Sequence, residues 1–341
     1  MAHQRFFLRA IENLYLIQGE IMDIEFHYYI TYILARKVGF SADDSAIIAY
    51  AGQHTDDNTY HYYINLEKEN PYVNIVSQTM DITKPQEKRR SIYPIFHFFP
   101  GDPASPTAAR KDGRTNPFNT TPGSKKAQDM FDDALGSKNL YRIGIATHVF
   151  ADTWAHQNFC GLLDQFNSLS SAVGMFTPNI GHADAGHNPD LVCHQWTDGR
   201  LIDDNKDIDN NTRFIDAAAQ IYARFLRFVD PRVSDVDLEA SWAILKGQLT
   251  TAMNTRSFLG PLFNSSQKAR IIAYKGICND IPEYDKEQWR HTAVKKDTGE
   301  LDIFDRYWGK KNFWDSPWYK FQQAAKEHRD VSINILADIY G

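Results

Sequence analysis

One segment of the sequence places two imidazoles and a carboxylate at helical spacing: His148, Asp152 and His156. Residues at i, i+4 and i+8 of an α-helix drift by only about 40° per step, so these three side chains share one face. Such a set can hold Zn²⁺ or a similar transition metal. Because the intervening residues are apolar, burying these groups is unfavourable unless they are paired or bind a metal. The segment predicts a metal site, with a hydrogen-bonded His–Asp–His stack in the core as the alternative.

Three other places in the chain carry residues of the same types. His97 lies in an apolar stretch that runs into a loop. His27 lies near the start of the first helix, with Glu25 on the same side if that segment is extended. Asp56 and Asp57 end the second helix, where carboxylates oppose the helix dipole and a cation would compensate. Taken singly, each has an ordinary structural explanation, as a core histidine or a solvated turn.

A Gly- and Pro-broken segment, GHADAGHNPD over residues 181–190, is the last source of candidate ligands. Irregular chain can bring nearby side chains to one metal, so we expect His182 and Asp190 to be ligands and Asp184 to be the next choice. His187 is more typical of a bystander. A turn-rich surface stretch without a ligand role is the alternative.

The periodicity of apolar residues predicts helices over 22–57, 125–158 and 210–341, with short strands or extended connectors in 58–97. Residues 100–124 are rich in Pro, Gly, Ser, Thr and basic residues, which predicts a long exposed loop. Because apolar helices occur on both sides of every loop, one domain is the simplest arrangement. The predicted fold is all-α, a multi-helix single domain around a metal cluster, with a long loop and a few short extended segments.

The single domain is predicted to cover residues 22–341, with the ligand-bearing part in 22–200 and C-terminal helices in 210–341. Residues 1–21 are predicted to be an N-terminal extension outside the site. They lack the apolar core and cleavage site of a secretory signal, which predicts a cytoplasmic protein. A true start at Met22, or a remnant of an added tag, are the alternatives for this extension.

Composition excludes several function classes. The 37 Lys and Arg against 43 Asp and Glu give a formal charge of −6, without the basic stripe of a non-specific nucleic-acid binder. No apolar run approaches the roughly 20 residues that a membrane helix needs. Three cysteines without a CxxC pair give neither a disulfide framework nor a thiolate zinc site. Phosphate-binding Gly-rich loops, GxSxG elbows and HExxH helices do not occur.

The ordered set of candidates resembles the zinc-dependent phospholipase C superfamily, which also contains the fungal single-strand-specific nucleases. AYAGQHTDD and HFFPGDP resemble the segments that supply an Asp and a His in these enzymes. GIATHVFADTWAHQNF is most similar to the glycosylphosphatidylinositol-specific phospholipase D branch. FHYYITYILARKVGF and GHADAG are similar to an uncharacterised bacterial family with the same ligand order. The resemblance covers roughly residues 22–200.

The resemblance implies an all-α fold around a tri-zinc cluster. The first implied zinc is held by Asp56, His97, His148 and Asp152, the second by Asp152 and His27, and the third by His156, His182 and Asp190. The chain departs from the pattern in two ways. The secreted enzymes use a mature N-terminal Trp as a ligand, whereas here residues precede His27, so that metal is either missing or uses Glu25. The second His of the helical motif follows the Asp by four residues, not by the six of the phospholipase C and nuclease branches.

The sequence therefore predicts a metal-dependent hydrolase of phosphoester bonds, phospholipase C-like or a phosphodiesterase, with two or three Zn²⁺ per chain. Asp56 would orient or deprotonate the attacking water, and the substrate would be a phospholipid head group or a short nucleotide. Arg110, Lys111 and Arg114 would recruit an anionic substrate if they are not simply solvated. The alternatives are an HD-type nucleotide phosphohydrolase, although its adjacent His-Asp pair is absent, and a non-catalytic binding module with structural metal.

Overall fold

The computed structural model describes residues 24–66, 69–79, 90–169, 179–257, 265–297 and 306–340. Helices make up 56% of these residues and strands 10%, the latter in one sheet of four strands and one of two. The fold is therefore mixed α/β, and the prediction of an all-α fold is wrong. The larger sheet depends on pairing of Ile64 with Tyr307 and of Asn65 with Trp308, which no local pattern reveals.

The helices of the described ranges are numbered in chain order. The first, α1, is π-helical over Glu25–Ile30 and α-helical over Thr31–Val38. The others are α2 (Ala42–Asp57), α3 (Tyr93–Phe96), α4 (Lys125–Gly136), α5 (Leu140–Ala155), α6 (Asn210–Val229), α7 (Asp235–Met253), α8 (Ser265–Ile277), α9 (Gln288–Ala293), α10 (Pro317–Ile335) and α11 (Ala337–Tyr340). Four short 3₁₀ turns also lie in the described ranges, at Pro106–Ala108, Gln165–Asn167, Ala183–Ala185 and Phe313–Asp315.

Local signals account for the boundary between α1 and α2. Gly39 ends α1 in a left-handed conformation, at φ 109°, which glycine adopts without strain. Ser41 caps α2, because its side chain accepts a hydrogen bond from the Asp44 backbone N–H at 3.0 Å. Asp43 and Asp44 lie in the first turn of α2, where the helix dipole favours carboxylates. These residues set the orientation of α2, whose last turn carries the candidate ligand Asp56.

Six strands form the two sheets of the described ranges. The larger sheet has the order β2-β1-β6-β5, in which β1 pairs antiparallel with β2 and parallel with β6, and β6 pairs antiparallel with β5. A second, two-stranded sheet joins β3 and β4 and leads directly into α6. The strands are β1 (Tyr63–Leu66), β2 (Glu69–Val73), β3 (Gln195–Thr197), β4 (Asp207–Asp209), β5 (Val294–Asp297) and β6 (Arg306–Gly309).

Helix α5 lies at the centre of the molecule and is buried from Arg142 to Ala155. One hydrophobic cluster extends from Phe26 to Leu336 and includes side chains of α1, α2, α5, α6 and α10. Residues from both ends of the described chain thus build the core that surrounds α5. No helix among the described residues is long and apolar enough to cross a membrane.

One prediction about an irregular segment is corrected by the structure, and a second falls on residues that the structure does not describe. Residues 100–124 form turns in which Pro100 and Thr120 are bridged to each other, while Arg110 is bridged to Leu201 and Asn119 to Cys160 outside the segment. Residues 111–115 are exposed, whereas Pro100, Gly101 and residues 118–121 are buried, so this loop is only partly exposed and not exposed along its length as predicted. The predicted extension, residues 1–21, lies outside the described residues.

Glycines allow α2 and α5 to approach closely. A Cβ atom at Gly144 would lie 2.3 Å from the carbonyl oxygen of Ile48 and 2.6 Å from the Cβ atom of Ala51. A Cβ atom at Gly52 would lie 2.9 Å from the carbonyl oxygen of His27. Since backbone atoms cannot move aside cheaply, these two positions fix how near α1, α2 and α5 lie to one another.

We expect Gly144→Ala to lower the free energy of unfolding by about 1–3 kcal/mol, because the added methyl group overpacks the contact between the two helices. The measurement is a urea titration of the full chain. Gly247→Ala on α7 is the matched control, since a Cβ there meets nothing within 4 Å. It should stabilise the helix by up to about 1 kcal/mol. Equal effects at the two positions would contradict the close packing of α2 on α5.

Candidate metal centre

Helix α5 carries the central residues of the candidate site. The side chains of His148 and Asp152 are both wholly buried, one turn apart on the same face. His156 lies immediately after the last helical residue, with its backbone N–H bonded to the Asp152 carbonyl oxygen. The three side chains contact one cluster of polar groups, as their spacing predicts.

The first group consists of His27, His148 and Asp152, whose ligand atoms lie within 4.8 Å of one another. The distance from Asp152 Oδ1 to His27 Nε2 is 3.2 Å, and that from Asp152 Oδ2 to His148 Nε2 is also 3.2 Å. The His27 and His148 rings stack with their centroids 3.8 Å apart. His27 comes from the π-helical part of α1, a geometry that is frequent at functional sites.

The second group consists of Asp56, His97 and His148. Asp56 Oδ1 lies 3.5 Å from His97 Nδ1 and 3.7 Å from His148 Nε2. Asp152 joins this group too, since its Oδ2 atom lies 3.4 Å from His97 Nδ1. Helix α2 supplies Asp56, and the chain just after the short helix α3 supplies His97.

The third group consists of His156, His182 and Asp190. The two oxygens of Asp190 lie 3.1 Å from His156 Nε2 and 3.3 Å from His182 Nε2. Asp152 links this group to the others, because its Oδ2 atom is 3.5 Å from His156 Nδ1. The carboxylate of Asp152 is therefore within 3.5 Å of four imidazoles.

Carbonyl oxygens orient three of the imidazoles. One nitrogen of each ring lies within hydrogen-bond distance of a carbonyl, at 3.0 Å for His97 with Ser77, 2.9 Å for His156 with His97, and 2.8 Å for His182 with Gly186. If that nitrogen carries the proton, the other nitrogen has a free lone pair that faces the cluster. Metal-binding histidines use this arrangement, in which an outer hydrogen bond fixes the tautomer.

The buried carboxylate oxygens are not satisfied by protein donors. Both oxygens of Asp152, together with Asp56 Oδ2 and Asp190 Oδ2, are shielded from solvent and accept no well-aligned hydrogen bond, although imidazole nitrogens lie 3.2 Å from each Asp152 oxygen. Leaving a carboxylate buried without donors or a cation is strongly unfavourable. Imidazole nitrogens and carboxylate oxygens are the donors that Zn²⁺ takes in proteins. The residues present therefore fit a cluster of zinc or similar ions.

Without a cation, the pKa values of these groups shift in directions that do not keep all the carboxylates ionised and all the imidazoles neutral. Burial raises the pKa of the Asp56 carboxyl well above its usual value, and the nearby Asp152 carboxylate adds to the shift. Burial likewise lowers the pKa of His148 to about 3. Although burial opposes it, the carboxylates of Asp152 and Asp190 raise the pKa of His156 to about 9. Divalent cations would hold all the carboxylates ionised and all the imidazoles neutral at once.

Eight of the ten candidate ligands predicted from the sequence lie in the three groups, and two do not. Asp57 is next to Asp56 but accepts a hydrogen bond from the Tyr284 hydroxyl at 2.5 Å. Asp184 accepts from the Leu169 backbone N–H at 2.6 Å. Both carboxylates have partners outside the groups, so we assign the ligand role on α2 to Asp56.

The basic residues of the 100–124 loop lie apart from this arrangement. Arg110 is buried, with its guanidinium 4.3 Å from the Phe166 ring centroid and bonded to Asp112. Arg114 and Lys111 are exposed and also lie near carboxylates. Arg110 is therefore a structural residue, and recruitment of a substrate by this loop stays a prediction only for the other two.

Glu25 does not face the metal centre. Its oxygens accept hydrogen bonds from Arg270 Nη2 at 2.6 Å, Arg270 Nε at 2.7 Å and the Tyr274 hydroxyl at 3.0 Å. In a π-helix residues two apart project in nearly opposite directions, so Glu25 and His27 cannot share a side as they would in an extended segment. Glu25 instead ties α1 to α8 and fixes the orientation of His27. This contact between α1 and α8 was not predicted, because the sequence around Arg270 gives no indication that Arg270 pairs with a residue of α1.

We expect Glu25→Gln to weaken metal binding by the first group. The substitution leaves the buried guanidinium of Arg270 without its carboxylate, so the π-helical turn should shift and the free energy of unfolding fall by about 3–5 kcal/mol. Metal content per chain, measured by mass spectrometry, should fall by about one ion. Glu283→Gln is the control, since Glu283 is exposed and pairs with Lys275. Full metal content in Glu25→Gln would contradict the positioning role.

The sequence of residues 22–336 matches the model of a family described as "Family of unknown function (DUF6765)". No curated protein and no solved structure matches the chain. What the site can do therefore follows from its own geometry.

Proposed function

We propose that this chain, which belongs to that family of unknown function, is a zinc-dependent hydrolase of phosphoester bonds. The observation that carries the proposal is the Asp152 carboxylate, buried within 3.5 Å of four imidazoles and without a well-aligned hydrogen bond. Three adjoining groups of ligands, joined through Asp152 and His148, fit two or three ions close together. The resemblance to the zinc-dependent phospholipase C superfamily points to the same chemistry.

Different residues of the site would bind the metal and activate the water. Asp152 and the imidazoles around it would hold zinc, which when bound supplies Lewis acidity toward a phosphoryl oxygen and lowers the pKa of water. Asp56 has the most exposed side chain of the three ligand carboxylates, at 9% against 0% for Asp152 and 2% for Asp190. It would orient the attacking water and accept its proton.

The substrate class we propose is a phosphodiester such as a phospholipid head group or a short nucleotide. A strongly basic surface is not needed for either, which agrees with the formal charge of −6. The three cysteines are free thiols, which suits the reducing cytoplasm, the location we propose.

Asp190→Asn tests this function against a control in the same loop. The neutral side chain should release the ion of the third group and lower phosphodiesterase activity by at least about 100-fold, because a ligand carboxylate is lost. The assay is a panel of phosphodiesters with zinc-loaded protein, and metal content is measured in parallel. His187→Gln should leave metal content and activity unchanged, since His187 lies outside the three groups.

Two other results of these measurements would favour a different function. Full metal content with no turnover of any phosphoester would favour a structural role for the metal, for which complete burial of the first group is typical. Turnover of nucleotides that is unaffected in Asp190→Asn would favour an HD-type phosphohydrolase with a metal pair elsewhere in the cluster.

A further inference from the structure

His97 is the one ligand of the second group that does not lie on α2 or α5. Its backbone N–H donates to the Tyr93 carbonyl oxygen at 3.0 Å, but its ring is held from another part of the chain. The Ser77 carbonyl oxygen lies 3.0 Å from His97 Nε2, while Nδ1 lies 3.2 Å from His148 Nε2 in the cluster. Since a carbonyl oxygen only accepts, Nε2 carries the proton of this bond and Nδ1 keeps a lone pair for a metal. The ligand atom of His97 therefore depends on where the Ser77 carbonyl lies.

Ser77 lies in irregular chain after β2, and Asn58 holds it there. The Asn58 carbonyl oxygen accepts from the Ser77 backbone N–H at 3.2 Å. Asn58 Nδ2 donates to Ser77 Oγ at 3.2 Å and to the Ile75 carbonyl oxygen at 3.0 Å, and the Ser77 hydroxyl donates to the Thr55 carbonyl oxygen at 2.7 Å. Because Asn58 precedes β1 and Ser77 follows β2, these bonds close the base of the β1–β2 hairpin. They fix the position of the carbonyl that His97 uses.

The side-chain amide of Asn58 has one favoured orientation. Its Oδ1 atom accepts from Gln322 Nε2 on α10 at 3.2 Å and from Asn74 Nδ2 at 3.4 Å, and all three amide side chains are buried. A flipped amide would turn its NH2 group toward these two donors and its oxygen toward the Ile75 carbonyl, and would lose these bonds. A buried network in which both polar atoms of Asn58 have partners specifies a single geometry, as the orientation of a ligand requires.

Asn58 also lies beside a second ligand of the same group. It is the C-cap residue of α2, two positions after Asp56, and its backbone N–H donates to the His54 carbonyl oxygen at 3.0 Å. One residue thus connects the helix end that carries Asp56 with the chain that orients His97. Within the described ranges, none of the hydrogen bonds of Asn58 reaches a residue of the third group.

We propose that Asn58 is a positioning residue of the metal centre. By holding the Ser77 carbonyl, it keeps the His97 ring in the tautomer and orientation in which Nδ1 faces the ion of the second group. Outer hydrogen bonds of this kind typically change metal affinity by about 10–100-fold when they are lost. The inference rests on the metal centre of the proposed function, and not on which bond that centre hydrolyses.

Asn58→Asp tests the positioning role, because Asp has the shape of Asn but lacks the two amide donors. Competition between the zinc-loaded full chain and a chelator should show one ion bound about 10–100-fold more weakly than in wild type, with the ion of the third group unchanged. Nuclear magnetic resonance of the imidazole N–H groups supplies a second readout. The His97 Nε2–H signal, assigned by its absence in His97→Gln, should be lost or shifted in Asn58→Asp.

Asn167→Asp is the matched control for loss of a buried amide. Asn167 is buried and donates to the carbonyl oxygens of Cys160, Leu162 and Asn179, so the substitution should lower the melting temperature. It should leave the His97 signal in place, because none of these carbonyls holds the His97 ring. A lower melting temperature alone therefore does not move this readout.

Zinc affinity and a His97 signal equal to those of wild type in Asn58→Asp would overturn the positioning role and leave the hydrolase function untouched. A wild type that binds no zinc would overturn both. If Asn58→Asp does not fold, Gln322→Met decides, since it removes only the bond from α10 to Asn58 Oδ1. We then expect a loss of affinity of up to about tenfold for the same ion, and no loss would overturn the proposal.

Discussion

Asp152→Asn is expected to lower phosphodiesterase activity by at least about 1,000-fold and to leave the chain with one metal ion or none. Asn keeps the shape of the side chain but loses the charge that lies within 3.5 Å of four imidazoles. Because this carboxylate belongs to the first group and also lies 3.4 Å from His97 and 3.5 Å from His156, its loss should release more metal than the loss of any other ligand. A fall in rate of this size corresponds to the loss of several kcal/mol of transition-state stabilisation.

Asp129→Asn is the matched control for this variant. Asp129 lies on α4, is exposed and pairs with Lys125, so removing its charge should change neither metal content nor activity. A fall in activity at Asp152→Asn with full metal content would contradict a ligand role for Asp152. Circular dichroism of both variants checks that the helices remain.

Removal of metal by a chelator should lower the melting temperature by at least about 10 °C and abolish activity. Each ion that binds only the folded chain, at a concentration about 1,000 times its Kd, contributes about 4 kcal/mol to the free energy of unfolding. Losing two or three ions also leaves the carboxylates of Asp56, Asp152 and Asp190 close together without neutralisation. For a chain of this length, each kcal/mol corresponds to about 2–4 °C or less.

Adding zinc back should restore both the melting temperature and the activity. The test is differential scanning calorimetry of the full chain before chelation, after it, and after reconstitution. Asp190→Asn, which is expected to lack the ion of the third group, should show a smaller drop on chelation than wild type. An unchanged melting temperature in chelated wild type would mean that the cluster is satisfied by hydrogen bonds alone, the alternative that the sequence left open.

Much of the helical framework follows from local sequence signals. Gly39, Ser41 and the spacing of His148, Asp152 and His156 act over one or two helical turns, so their consequences can be predicted without the fold. The pairing of β1 with β6 could not be predicted in this way. Ile64 pairs with Tyr307 from a distant part of the chain, and short strands without clear alternation carry little local signal.

The candidate ligands show the same difference between local signals and long-range packing. Residues whose positions depend on helix geometry lie close together as predicted. Adjacent candidates such as Asp56 and Asp57 can be distinguished only by the residues that each contacts in the folded chain. The Tyr284 hydroxyl donates a hydrogen bond to Asp57, and Tyr284 lies far from Asp57 in the sequence. The prediction for Glu25 depended on an extended segment, and the π-helical turn changes which way that side chain projects.

Crystals of the zinc-loaded chain, measured just above and below the zinc absorption edge, test the central claim most directly. We predict two or three anomalous peaks about 2.0–2.2 Å from the imidazole nitrogens and carboxylate oxygens of the three groups, with Asp152 contacting more than one ion. The absence of anomalous density between His148, Asp152 and their neighbours, in protein that has retained this arrangement of side chains, would contradict it.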